Sequence, residues 1–193
     1  MSADIDIDFA DRNAVLQLIR CIPARQMHDG KVRKHNSGVY VTDIPYDPIN
    51  ECAAIDYNDA EQRGYFKLDL LNMSVYQSVR DQAHYDELLA TTPDWNKFNT
   101  DKDFFEKLVH VANHWDTLKS MPEPVDTIPR LAMFLAIIRP GKRHLIGKTW
   151  KDVAATVWEA TTDGYSFKKS HAISYAVLVT LHMNIIDQSS LPA

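Results

Sequence analysis

The segment Asp4-Ile-Asp-Ile-Asp-Phe9 alternates acidic and apolar side chains over six residues, and no other stretch constrains the fold as much. Alternation with a period of two sends successive side chains to opposite faces of an extended strand, so one face carries three carboxylates and the other Ile5, Ile7 and Phe9. Residues two apart on a strand stand about 6.6 Å from one another. Asp4 and Asp6 can therefore both reach a pair of hard cations, with a third acid supplied by a neighbouring strand. By spacing alone, an acidic exposed strand face is equally a solubility device or a site for stray calcium.

Tyr65 to Leu71 repeats the alternation, with Phe66, Leu68 and Leu70 against Lys67 and Asp69, which puts Asp69 on a polar face. Between the two segments, Asp11 is placed to cap an amphipathic helix with apolar positions Val15, Leu16, Leu18, Ile19 and Ile22 and a stop at Pro23. The pattern then predicts a polar, basic loop, a turn at Asn36-Ser37-Gly38, a strand over Val39 to Thr42 and another over Cys52 to Tyr57. Beyond Asn72 the spacing becomes helical over Val75 to Leu89, Phe104 to Trp115 and Ile128 to Ile138. Thr149 and Asp152 have capping-box form, and a last helix is expected from near Ser170 to about Ile186. The class predicted is α+β, with a small mixed sheet followed by an α-helical extension.

At 193 residues one compact unit is expected, and 45% hydrophobic with 24% charged residues is the balance of a chain that folds. The acidic N-terminus has no signal-peptide form, and the longest apolar stretch, Leu131 to Ile138, is far below membrane-spanning length. These features predict a cytoplasmic protein with no membrane association. Cys21 and Cys52 lack CxxC spacing and read as reduced and structural. The net charge of −5 excludes a globally basic DNA-gripping surface. Positive charge is local, in Lys31-Val-Arg33-Lys34-His35, in Arg139 to Lys148 (with Arg143) and in Lys168-Lys169. Clusters of this kind are more often solvated surface than ligand sites.

Five segments, in order, carry a family resemblance. Ala3-Asp-Ile-Asp-Ile-Asp-Phe9 resembles the Pro-Asp-Ile-Asp-Ile-Asp-Phe palm motif of the C-family of replicative DNA polymerases, the bacterial DNA polymerase III alpha subunits. Arg33-Lys-His-Asn-Ser-Gly-Val-Tyr-Val41 resembles that family's Lys-His-Ala-Gly-Gly-Val-Val stretch. Asp59 to Leu71, ending Lys67-Leu-Asp69-Leu-Leu71, is similar to its Val-Lys-Phe-Asp-Phe-Leu segment. Leu135-Ala-Ile-Ile-Arg-Pro-Gly141 resembles the Leu-Phe-Arg-Pro-Gly loop, and Gly164 to Ala176 resembles Gly-Tyr-Gly-Phe-Asn-Lys-Ser-His-Ala-Ala-Ala-Tyr-Ala. The matches cover about a quarter of the chain.

The resemblance implies a polymerase-beta-like palm over residues 1–73 and a fingers-like helical part over 74–193. It implies that Asp4, Asp6 and Asp69 are catalytic and hold two Mg²⁺ ions, with Mn²⁺ as a substitute. Asp8 is then a bystander. By the same carry-over Lys67, Arg139, Lys169, Ser170 and His171 face the incoming dNTP. Of the local basic clusters, Lys31, Arg33, Lys34, Arg143 and Lys148 are the candidates to contact primer-template DNA. The family's Gly-Ser-rich nucleotide loop and its DNA-binding regions have no counterpart among these residues, which predicts action with other replisome subunits. An alternative is an inactive homologue, virus-encoded and so in the host cytoplasm, that binds a replication component. Gln188 to Ala193 partly resembles a peptide that hooks onto the sliding clamp.

Overall fold

The structure is a computed structural model that describes residues 5–159 and 167–190. It is a mixed α+β fold in which the chain divides into two compact units, Met1–Ser78 and Val79–Ala193. Asp4, the first of the expected catalytic acids, lies outside the described residues.

In the first unit, β1 (Ile5–Phe9), β2 (Ile22–His28), β3 (Lys31–Tyr40) and β6 (Leu68–Asn72) form a four-stranded sheet in the order β1-β6-β3-β2. β1 runs parallel to β6, and the remaining pairs are antiparallel, so the sheet is mixed. Two short strands, β4 (Tyr46–Asp47) and β5 (Cys52–Ala53), pair separately. Helix α1 (Arg12–Leu18) is capped by Asp11, whose carboxylate accepts from the N–H groups of Asn13 and Ala14. Helix α2 (Tyr57–Gln62) is capped in the same way by Asp56. Ala24, Tyr40, Ile44, Ala53 and Ala60 form the core, with Ile22, Ile55, Tyr57 and Tyr65 packed against it.

Several expectations change here. α1 ends at Leu18 rather than at Pro23, because Ile19 is already extended. The expected basic loop is instead the β2–β3 hairpin, closed by Asp29 and Gly30 at φ +50° and +71° between the paired residues His28 and Lys31. Two consecutive positive φ angles are the signature of a tight hairpin turn, and Asp-Gly suits it. Pro23 is accommodated because β2 is a sheet edge whose register shifts between Pro23 and Arg25. Asn36-Ser37-Gly38 is part of β3 and makes no turn. The strand expected over Cys52 to Tyr57 shrinks to two residues, since Asp56 turns to cap α2.

The second unit is helical, comprising α3 (Gln82–Ala90), α4 (Trp95–Thr100), α5 (Lys102–Phe105), α6 (Trp115–Lys119), α7 (Ile128–Ile137), α8 (Trp150–Thr156) and α9 (Lys169–Ser190). Side-chain oxygens cap five starts, at Asp81, Asp94, Asp101, Thr127 and Thr149. Every residue from Leu131 to Ile137 is buried, which makes α7 the centre of the core, and Ala172, Ala176, Val179 and Met183 of α9 belong to the same cluster. The helix expected over Phe104 to Trp115 is broken into α5, a 3-10 turn at Ala112–His114 and α6, with His110 between them at φ +66°, a value no α-helix contains. The helix expected over Val75 to Leu89 is likewise a 3-10 turn at Ser74–Ser78 and then α3, which the Asp81 cap starts afresh. No helix among the described residues is long and apolar enough to cross a membrane.

Candidate functional site

Asp6 of β1 and Asp69 of β6 are register partners on adjacent parallel strands, and Gly38 of β3 is the partner of Asp69 on its other side. Partners across a ladder present their side chains on one face, and neighbouring strands lie about 4.8 Å apart. The two carboxylates therefore start from neighbouring backbone positions on one side of the sheet. Asp6 is exposed, whereas Asp69 is buried. Asp8 lies on the same face two residues along; partial burial, and then the charge of Asp6, push its carboxyl above the usual range.

Asp69 is held by groups from β3 and β6. Ser37 Oγ donates to its Oδ1 at 2.7 Å, and the Lys67 ammonium donates to its Oδ2. His35 Nδ1 accepts from the N–H of Gly38 at 2.9 Å and of Ser37 at 3.3 Å, and stands 3.7 Å from Asp69 Oδ1. Burial, and then the nearby Lys67, lower the pKa of His35, so the ring is neutral with its proton on Nε2. Tyr57 meets the His35 ring edge-on at 5.2 Å between centroids, and the Lys67 ammonium lies 5.9 Å above the same Tyr57 ring. A side chain at Gly38 would meet Lys67 Cδ at 2.7 Å and His35 Nδ1 at 3.0 Å. The bare glycine leaves the room that the Lys67 side chain takes beside Asp69.

Carboxylate oxygens are the donors that hard cations take. Asp6 and Asp69 offer carboxylate oxygens, and the Lys67 ammonium already supplies a positive charge on Asp69. Among the described residues no three His, Cys, Asp or Glu side chains converge as a ready metal cage, and Asp4 is outside that set. Ser37 and Tyr57 had no place among the expected site residues, and His35 read as a loop histidine. Reading Asn36-Ser37-Gly38 as a turn hid the strand alternation that aims Ser37 and His35 at Asp69.

In the second unit Arg139 follows α7, and its guanidinium carbon stands 5.2 Å from the Phe167 ring centre. Phe167 stacks on Tyr175 at 5.8 Å, and His171 lies 6.5 Å from Tyr175. Arg139 and His171 are thus grouped around the start of α9. Ser170 is exposed on that first turn, and Lys169 lies over Trp158 at 6.0 Å. Of the expected DNA contacts, Lys31, Arg33, Arg143 and Lys148 are exposed, while Lys34 is paired with Glu51 at 2.8 Å. Gln188 is inside α9, with Oε1 2.9 Å from His84 Nε2; Leu191 to Ala193 lie outside the described residues. No protein family, curated protein or solved structure matches the chain.

Proposed function

We propose that this chain is the core of a DNA-directed DNA polymerase-like nucleotidyltransferase, related to the C-family and working with other replication proteins. The mixed sheet is read as a reduced polymerase-beta-like palm and the helical unit as fingers. The observation that carries the reading is the in-register pair Asp6 and Asp69, with Ser37 and Lys67 orienting the buried acid. Asp4, Asp6 and Asp69 would hold two Mg²⁺ or Mn²⁺ ions, which when bound activate a primer 3′-hydroxyl and stabilise the leaving pyrophosphate. The chain's own residues do the positioning. Ser37 fixes the rotation of the Asp69 carboxylate, neutral His35 braces the Ser37–Gly38 backbone, and Lys67 compensates the buried charge until a cation replaces it. Arg139, Lys169, Ser170 and His171 take the phosphates of the dNTP in this reading.

Primer extension with Mg²⁺ or Mn²⁺, primer-template and dNTPs tests it, alone and with replication proteins of the source. Extension abolished by Asp6→Asn and by Asp69→Asn is expected; no extension under any condition refutes the reading, and extension that survives Asp69→Ala refutes the residue assignment.

The Lys67–Asp69 ion pair favours a second reading, an inactive homologue that binds a polymerase or sliding clamp. Capture of those subunits that is unchanged by simultaneous Asp4→Asn, Asp6→Asn and Asp69→Asn would select it.

A further inference from the structure

Arg139 follows α7 and Arg143 lies in the 3-10 turn Pro140–Leu145 that comes next, and neither has a carboxylate partner among the described residues. The Arg139 guanidinium lies on Phe167, which fixes its plane, and its Nε is buried without a hydrogen-bond partner. His110 Nε2 is also buried and without a partner, and the His110 ring lies 4.4 Å from Tyr175, which itself stacks on Phe167. His110 further adopts φ +66°, a conformation costing on the order of 1 kcal/mol for a residue with a side chain. A half-buried guanidinium with its own Nε unsatisfied and no carboxylate partner among the described residues, together with the unsatisfied His110 Nε2, is an arrangement that an anion from solution completes.

We infer that Arg139, Arg143, His110 and His114, beside the Phe167–Tyr175 stack, form a binding site for a phosphate group. The inference rests on the reading of the helical unit as nucleotide-handling, and adds to it two histidines and a dependence on protonation. The forked guanidinium of Arg139 matches two phosphate oxygens, and Arg143, exposed, adds charge at the rim. The protonation follows from what surrounds each ring. His110 meets the Tyr175 ring and feels the charge of Arg139, and His114 feels the charges of Arg139 and Arg143. Burial first, and the arginines second, lower the pKa of both histidines below the ordinary range. A bound phosphate offsets the arginine field, so protons move onto the imidazoles as it binds, and each proton adds a charge-assisted hydrogen-bond donor. Affinity therefore rises as pH falls.

Titration calorimetry of the full chain with inorganic pyrophosphate in EDTA, near pH 6 and near pH 8, reads both claims. Pyrophosphate itself titrates in this range, so the quantity compared is the affinity ratio of the parent protein to His110→Gln at each pH. We expect that ratio to be near one at the higher pH and to rise by about fivefold at the lower. Arg139→Gln should weaken binding about tenfold or more, with Arg139→Lys recovering part of it, and circular dichroism checks that each variant folds. dATP in place of pyrophosphate identifies the source: tighter binding assigns the site to a nucleotide, equal binding to free phosphate. Absence of binding at both pH values, or binding indifferent to Arg139→Gln and Arg143→Gln, overturns the site. An unchanging His110→Gln ratio overturns the proton coupling. Pyrophosphate binding without primer extension refutes the polymerase reading and leaves this site standing, whereas extension without such binding does the reverse.

Discussion

Ser37 Oγ donates a 2.7 Å hydrogen bond to Oδ1 of Asp69 across the β3–β6 pair, while the Lys67 ammonium takes the other carboxylate oxygen. The Asp69 side chain is 10% exposed, so removing its cation leaves a charge that water barely reaches. Lys67→Met should cost about 2–4 kcal/mol in urea unfolding. Mn²⁺ should then stabilise the variant more than it stabilises the parent, because the ion no longer competes with an ammonium. Equal stabilisation of the two proteins would show that Asp69 does not bind the ion.

Gly38 and Gly30 separate two kinds of glycine requirement. Gly38→Ala drives a methyl group into Lys67 and His35 and should cost about 1–3 kcal/mol. Combined with Lys67→Ala the losses should be less than additive, since the second change removes the obstacle. A side chain at Gly30 meets nothing within 4 Å, yet φ is +71°. Gly30→Val should therefore cost about 1–2 kcal/mol through backbone conformation alone, with no coupling to Lys67. Chemical denaturation of the parent, the three single variants and the two double variants with Lys67→Ala measures both outcomes.

Asn184, buried in α9, donates from Nδ2 to the carbonyl oxygens of Leu88 at 2.8 Å and Thr91 at 2.9 Å. These carbonyls end α3 and have no further helical turn to serve them. Asn184→Leu keeps the volume and strands both, and should lower stability by about 1–3 kcal/mol. Amide exchange should speed up in α3 before it does so in α7.

The histidine at position 182 should make the helical unit acid-sensitive. His182 Nδ1 accepts from the Val109 N–H at 3.1 Å, and burial lowers its pKa below the ordinary 6.5. Below that ordinary value the unfolded chain binds a proton that the folded chain refuses, so its contribution is complete above about pH 6.5 and is lost as pH falls towards the folded value. The melting temperature should drop on acidification by about 2–4 °C for each kcal/mol lost. His182→Gln should reduce that slope, and an unchanged slope would assign the acid sensitivity to other groups.

Much of this was legible in the chain, and what was not has local causes. The Asp11 and Thr149 caps, the helix over 128–138 and the strand carrying Asp69 follow from spacing that tertiary packing leaves alone. The β2–β3 hairpin was missed because Pro23 reads as a stop, although at a sheet edge a residue without an N–H does no harm. Asp29-Gly30 was the signal that would have found it. With β3 read as a loop, nothing pointed Ser37 at Asp69 over 32 residues of chain. The break at His110 left no mark in the pattern, because its unusual φ depends on surroundings assembled from distant residues.

β1 closes one end of the four-stranded sheet and, among the described residues, has β6 alone as a ladder partner. Five residues hydrogen-bonded along one side detach far more readily than a strand held on both. The pairing of Asp6 with Asp69 thus has a lifetime of its own, set by how often that strand peels away while the rest of the unit stays folded. An ion shared by the two acids would act as a rivet between strand and sheet, and loading the site would appear as slowed exchange of the amides of Ile5 to Phe9.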